Sequence, residues 1–218
     1  MSEKYTVIMH LGRHSNVALL RDTSSGFLVV RRIVNAKQAE VYQTLRSLMD
    51  PHIPLIHSIS EVENGQYEIL EEYIQGRTLG EILEDQVCLQ EPTAAAYVIQ
   101  LCDVLEKIHK AGLIHRDIKP SNILITPDER LYLIDFDIAR TRKEGRDADT
   151  EILGTQGFAA PEQFGFHQTD VQADIYAKIN ITQLTLSLAK EGCEILSMHE
   201  HDETLESYYV NLVGGAKE

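Results

Sequence analysis

His115-Arg116-Asp117-Ile118-Lys119-Pro120-Ser121-Asn122 is the stretch on which the fold and chemistry of this chain turn. Taken singly, its polar members are ordinary, since a loop aspartate is usually solvated and an isolated histidine is usually structural. Taken together they place a carboxylate, a lysine and an amide at fixed offsets in one short loop, a combination that chance rarely assembles. Just upstream, Pro92 to Ala111 carries Val98, Leu101, Leu105 and Ile108 at helical spacing, and Gly112 stands at the C′ position that ends such a helix. Just downstream, Leu133-Ile134-Asp135-Phe136-Asp137 follows after a length that suits a hairpin. Farther on lies Gly154-Thr155-Gln156-Gly157-Phe158-Ala159-Ala160-Pro161-Glu162.

The first third of the chain has a different character. Tyr5 to His10, Val17 to Leu20 and Gly26 to Val30 are short β-prone runs, the last behind a Ser-Ser-Gly turn signal. Ala36 to Leu48 reads as a helix, with Val41, Leu45 and Leu48 on one face, and it stops before Asp50-Pro51. Two more strands are expected at Leu55 to Glu61 and Tyr67 to Tyr73, and a short helix at Thr78 to Glu84. A strand-rich part (1–74) therefore precedes a helical part (75–177), with Gln75-Gly76 as the hinge between them. No internal repeat or low-complexity segment interrupts this order.

Bulk properties set the frame. The 218 residues suffice for one large domain or two small lobes, and 43% hydrophobic with 25% charged residues is a soluble globular mixture. A net charge of -14 argues against non-specific binding to nucleic acid or to an anionic membrane. The three cysteines, Cys88, Cys102 and Cys193, fall at neither metal-ligand nor redox spacing, which fits a reducing, cytoplasmic setting. The N-terminus lacks the apolar core of a signal peptide, and no apolar run is long enough to span a bilayer.

The eight-residue stretch matches H-R-D-x-x-x-x-N, and with it the chain resembles the eukaryotic-type serine/threonine protein kinases, in a style similar to those of Gram-positive bacteria. That resemblance implies an α+β, two-lobed kinase-like fold with a small β-rich N-lobe, a helical C-lobe lacking its last helices, and ATP and Mg²⁺ as cofactors. Phosphoryl transfer needs in-line positioning and cations that neutralise charge on phosphate oxygens. By resemblance, Asp117 is the base for the incoming hydroxyl, Lys119 the point charge at the γ-phosphate, and Asn122 and Asp135 the metal ligands. Lys119 is the serine/threonine mark. Phe136 is expected to pack beneath the helix, and Asp137 replaces the glycine of D-F-G. The stretch ending at Ala160-Pro161-Glu162 resembles the peptide-positioning loop of protein kinases, with Thr150 as a candidate phosphosite facing Arg116.

Toward the N-terminus the same resemblance assigns the nucleotide clamp. Leu11 to Val17 stands in place of the glycine-rich loop but keeps only Gly12, so Gly12 and Val17 are its candidates. Aligning Val29-Val30-Arg31-Arg32-Ile33 with V-A-I-K puts Arg31 at the phosphate-pairing lysine, a change that is not conservative. Glu40 is then its helical partner, and Glu72 and Ile74 meet adenine at the hinge. Glu71 falls at a position that is usually apolar in the family.

The match runs from about Tyr5 to Ala177, where Asp174 begins the long central helix and supports the catalytic loop. Residues 178–218 read as a divergent tail. No arginine follows Arg146 to pair with Glu162, and the expectation is a truncation or a change of reading frame. An ATP-dependent protein kinase acting on a protein substrate, with neither nucleic acid nor membrane as partner, is the first reading. The alternative is a pseudokinase or truncated remnant that binds nucleotide or protein without turnover. A small-molecule phosphotransferase is disfavoured by Lys119 and the Ala160-Pro161-Glu162 segment.

Overall fold

A computed structural model describes residues 4–11, 16–85, 89–141, 163 and 169–176. The first lobe is a five-stranded antiparallel sheet in the order β1-β2-β3-β5-β4. Its strands are β1 (Tyr5–His10), β2 (Val17–Asp22), β3 (Leu28–Asn35), β4 (Ile56–Glu61) and β5 (Gln66–Glu72). The β2–β3 turn is set by Asp22, whose carboxylate accepts the backbone N–H groups of Ser24 and Ser25 at 2.8 and 2.9 Å.

Helix α1 (Ala36–Leu48) starts directly from the end of β3, with the bounds its apolar spacing predicts. Asn35 caps it, accepting from the Gln38 N–H at 3.0 Å while the Gln38 side chain accepts from the Asn35 N–H at 3.1 Å. Ala39, Val41, Tyr42 and Leu45 form its buried face. Met49 closes it in a left-handed conformation (φ 48°).

The chain after α1 is fastened to the second lobe. The buried Asp50 carboxylate takes the Lys107 ammonium at 2.6 Å. His52 meets the Leu131 carbonyl through Nδ1 at 2.8 Å, and its own carbonyl accepts from the Leu133 N–H at 2.8 Å. These contacts fix the base of α1 against the strands that precede Asp135.

The second lobe begins with β6 (Arg77–Thr78), α2 (Leu79–Asp85) and α3 (Glu91–Lys110). There follow β7 (Leu113–Ile114), a 3₁₀ turn (Pro120–Asn122), β8 (Ile123–Ile125), β9 (Leu131–Leu133), β10 (Arg140–Thr141) and α4 (Gln172–Tyr176). Strands β6, β8 and β9 form one small sheet, and β10 pairs with β7 in another. Gly112 takes φ 77° just past α3, as its C′ role requires. At the hinge, Gly76 passes so close to β8 that a Cβ there would strike Leu124 Cδ2 and lie 2.5 Å from the Ile125 carbonyl oxygen. Only glycine fits that crossing.

One apolar core joins the lobes, running from Tyr42 and Leu45 of α1 through Leu101, Leu105 and Ile108 of α3 to Ile123, Leu133 and Phe136. Each such side chain contributes about 1.5–3 kcal/mol on burial. The α+β, two-lobed architecture is as expected from sequence. Gly12, Thr150, Glu162 and residues 178–218 lie outside the described residues.

Candidate active site

The loop from β7 to β8 is built to hold one carboxylate. Asp117 Oδ2 receives the Lys119 ammonium at 2.6 Å and the Asn122 Nδ2 at 2.9 Å, and the same Nδ2 also donates to the Asp117 carbonyl at 2.9 Å. The Asp117 side chain is 12% exposed and that of Lys119 20%, so solvent screens this directional charge pair only weakly. The amide of Asn122 is thereby oriented with its nitrogen toward Asp117, leaving Oδ1 as the atom it can offer a hard cation.

This loop is strained and then anchored. Arg116 takes φ 71°, a left-handed conformation that a non-glycine residue adopts at a cost of order 1 kcal/mol or more. Asp174, at the start of α4 and almost fully buried, holds it there. Its Oδ1 accepts the Arg116 N–H at 2.6 Å, and its Oδ2 accepts the His115 N–H at 2.9 Å and meets His109 Nε2 at 2.8 Å. Gln163 adds a buried amide bond to the Arg116 carbonyl at 2.7 Å. Sequence reasoning reached Asp174 but passed over Gln163 and His109, each of which is legible only once the chain is folded.

Asp135 stands across the cleft, also left-handed at φ 67°. The Ile134 N–H donates to the Asn122 carbonyl at 3.0 Å, tying the two candidate metal-ligand segments together. Phe136 is buried in the core shared with α1, and its ring centre lies 4.6 Å from that of His115 at 56°. Asp137 faces inward at the glycine's place. Its carbonyl accepts from Gln38 Nε2 at 2.5 Å, so α1 reads the backbone of this segment.

The cation over Asp135 is Arg32, not Arg31. Arg32 Nη1 donates to Asp135 Oδ1 at 3.2 Å and to Asp137 Oδ1 at 3.1 Å, and its Nε donates to Glu71 Oε1 at 2.7 Å. Alternation along β3 explains the correction: neighbours on a strand face opposite sides, and Arg32 points into the cleft. Glu40 is corrected as well, because it lies on the exposed face of α1 and neither arginine reaches it. Burial pushes the Asp137 carboxyl up to about 6, against the pull of Arg32 and with Asp135 adding to the rise.

The remaining clamp candidates are placed less tightly. Val17 is half-buried and faces Arg32 in the β2–β3 register. The Glu72 N–H donates to the Leu55 carbonyl at 2.8 Å, and its carboxylate accepts from the Leu55 N–H at 3.2 Å, so the Glu72 side chain braces the strand end. Ile74 is half-buried in the linker toward β6. Among the described residues there is no group of three or more His, Cys, Asp or Glu side chains that would by themselves hold a metal ion.

The family model described as protein kinase domain matches residues 7–207. The chain belongs to the protein kinase domain family. The match runs past Ala177, so residues 178–207, set apart by sequence as a divergent tail, fall within it. Serine/threonine-protein kinase PknD of Mycobacterium tuberculosis is 36% identical over 146 residues, 66% of this chain and 22% of that protein. PknE of the same species is 38% identical over 162 residues, 73% of this chain and 28% of that protein. PknH of Mycobacterium bovis is 38% identical over 131 residues, 60% of this chain and 22% of that protein. The chain thus spans about a quarter of the length of these kinases. The kinase PK-1 of Cydia pomonella granulovirus shares the fold at a TM-score of 0.69 and 20% identity, covering 85% of this chain and 69% of the other.

Within this kinase domain His115 is a neutral strut. It is fully buried, its Nδ1 accepts the Asp117 N–H at 3.3 Å, and its Nε2 faces the Ile134 carbonyl at 3.2 Å, a pattern that places the proton on Nε2. Burial lowers its pKa below the ordinary 6.5, although Asp174 and the Ile134 carbonyl act in the opposite sense. The unfolded chain therefore takes up a proton near pH 6.5 that the folded chain refuses, so this stability is present above that pH and is lost below it. Urea melts should show wild type losing up to about 1 kcal/mol more than His115→Phe between pH 7.5 and 5.5. Parallel pH profiles for the two proteins would contradict a buried neutral imidazole.

Proposed function

We propose that this chain transfers the γ-phosphate of ATP to a serine or threonine hydroxyl of a protein substrate, with Asp117 as the base. The observation that carries this reading is the Asp117 carboxylate, gripped by Lys119 and Asn122 in a loop that Asp174 pins from below. As the hydroxyl oxygen bonds to the γ-phosphorus, its proton passes to the Asp117 carboxylate, the bond to the β-phosphate oxygen breaks, and ADP leaves. Lys119, two residues away and 2.6 Å from the Asp117 carboxylate, would supply the cation that meets the developing charge. The hard-oxygen donors present, Asn122 Oδ1 and the Asp135 carboxylate, suit Mg²⁺, which when bound would neutralise phosphate charge. Arg32 in mid-β3 and the backbone of Glu72 and Ile74 at the hinge would border the nucleotide.

Asp117→Asn tests the reading. It keeps the shape of the loop but removes the proton acceptor, so phosphate incorporation from Mg-ATP into a serine-containing protein should fall by about 10²–10⁴. A thermal shift with Mg-ATP should persist. Equal incorporation by wild type and the variant would overturn the assignment of Asp117. A nucleotide-dependent shift in a wild type without turnover would favour a binding module instead.

A further inference from the structure

We propose that Glu71, on strand β5, is the positioning carboxylate for Arg32, so that the cation facing the nucleotide phosphates is set by the sheet and not by helix α1. This rests on the ATP reading above. Helix α1 contains one acidic residue, Glu40, and that side chain is exposed on its outer face. The helix thus has no carboxylate to bring to the cleft. What it turns inward instead is Tyr42, fully buried, whose hydroxyl hydrogen-bonds to no described residue.

The sheet supplies what the helix does not. Val30 lies opposite Glu71, and Arg32 opposite Ile69, so Arg32 and Glu71 are diagonal neighbours on adjacent strands. Their side chains meet at 2.7 Å with both about 10% exposed. The guanidinium is used edge by edge. Its Nε is committed to Glu71, Nη1 bridges Asp135 and Asp137, and Nη2 hydrogen-bonds to no described residue. A planar fork held at one edge presents the other in a fixed direction, which a lysine ammonium in the same place would not do. Glu71 does not touch substrate in this account; it acts through Arg32.

The pairing also gives a reason for an acidic residue, Glu71, at a position that is usually apolar in the family. An unpaired carboxylate there would be desolvated and would repel the phosphates, whereas beside Arg32 it is neutralised and gives the cation its aim. Because β3 and β5 are paired along seven residues, the geometry persists wherever α1 sits.

The test compares Mg-ATP with adenosine, which lacks phosphates, on the full chain. Glu71→Gln should weaken Mg-ATP by about tenfold relative to adenosine, Glu71→Asp should recover part of the loss, and Glu68→Gln on the same strand should leave the ratio unchanged. A structural role alone would lower the melting temperature and weaken both ligands alike, which would overturn the proposal. So would the same selective loss in Glu40→Gln, which would return the role to α1. Exchange protection of the Arg32 Nε–H in nitrogen-15 spectra gives a readout without nucleotide, and it should vanish in Glu71→Gln. Protection that survives that substitution overturns the pairing itself. Protection that depends on Glu71, in a wild type that binds adenosine as tightly as Mg-ATP, overturns the nucleotide reading and reduces Glu71 to a structural partner.

Discussion

Replacing Asp174 with alanine should cost about 3–5 kcal/mol of stability and, in the fraction that remains folded, should lower phosphoryl transfer by a further ~10²-fold. The carboxylate is the sole side chain seen to accept the His115 and Arg116 backbone N–H groups among the described residues, and both bonds are buried. Each charge-assisted bond contributes about 1.5–3 kcal/mol, and an alanine leaves both donors without a partner where water does not reach. The rate effect has a separate origin. Arg116 stays left-handed because Asp174 holds its N–H, and once released the backbone relaxes toward an ordinary conformation. Asp117, the next residue, moves with it, and a displacement of about an ångström suffices for such a loss. Chemical denaturation reads the first effect, and single-turnover incorporation at low temperature reads the second. Asp174→Asn separates the two, since it keeps one acceptor oxygen but opposes an N–H with an amide N–H. It should lie between wild type and alanine in stability. An alanine variant with wild-type turnover when folded would show that the loop keeps its shape without the anchor.

The features that were legible from sequence are those in which neighbours along the chain do the work. The loop at 115–122, the helix at 36–48 with its end before Asp50-Pro51, and the glycine after α3 are local patterns, and each lies where its spacing implies. The errors lie where a single residue of register decides. Arg31 and Arg32 are chemically equal and adjacent, and on a strand one step exchanges the cleft face for the opposite face. Strand β3 also runs on to Asn35 and passes straight into α1, and the one acid of that helix, Glu40, falls on its exposed face. Glu71 showed in the sequence only as an acid at a usually apolar position, and its role stayed hidden because its partner is 39 positions away. The inward face of α1 offered one usable clue, since Tyr42 falls three residues before Leu45 on the apolar stripe, which leaves no room there for a carboxylate.

Arg32→Met should be the most damaging substitution in the first lobe, at roughly 3–5 kcal/mol, because it leaves a buried acid without its cation. Glu71 would remain about 10% exposed beside Asp135 and Asp137, three carboxylates that the single guanidinium now holds together. The loss should shrink on acidification, since a protonated carboxyl can be buried without a counter-charge. The informative variant is the double one. Arg32→Met with Glu71→Leu removes both charges and fills the space with apolar groups of similar size, and it should recover about 2 kcal/mol or more of the single-variant loss. Both proteins should nevertheless lose affinity for Mg-ATP relative to adenosine, because neither retains the phosphate-facing cation. Stability and nucleotide binding therefore part company in the double variant. Denaturant melts set beside ligand titrations will show whether the pair serves the fold, the phosphates, or both. A double variant as unstable as Arg32→Met would mean that Glu71 is not the acid the arginine neutralises, and the partner would then have to be sought in Asp135 and Asp137.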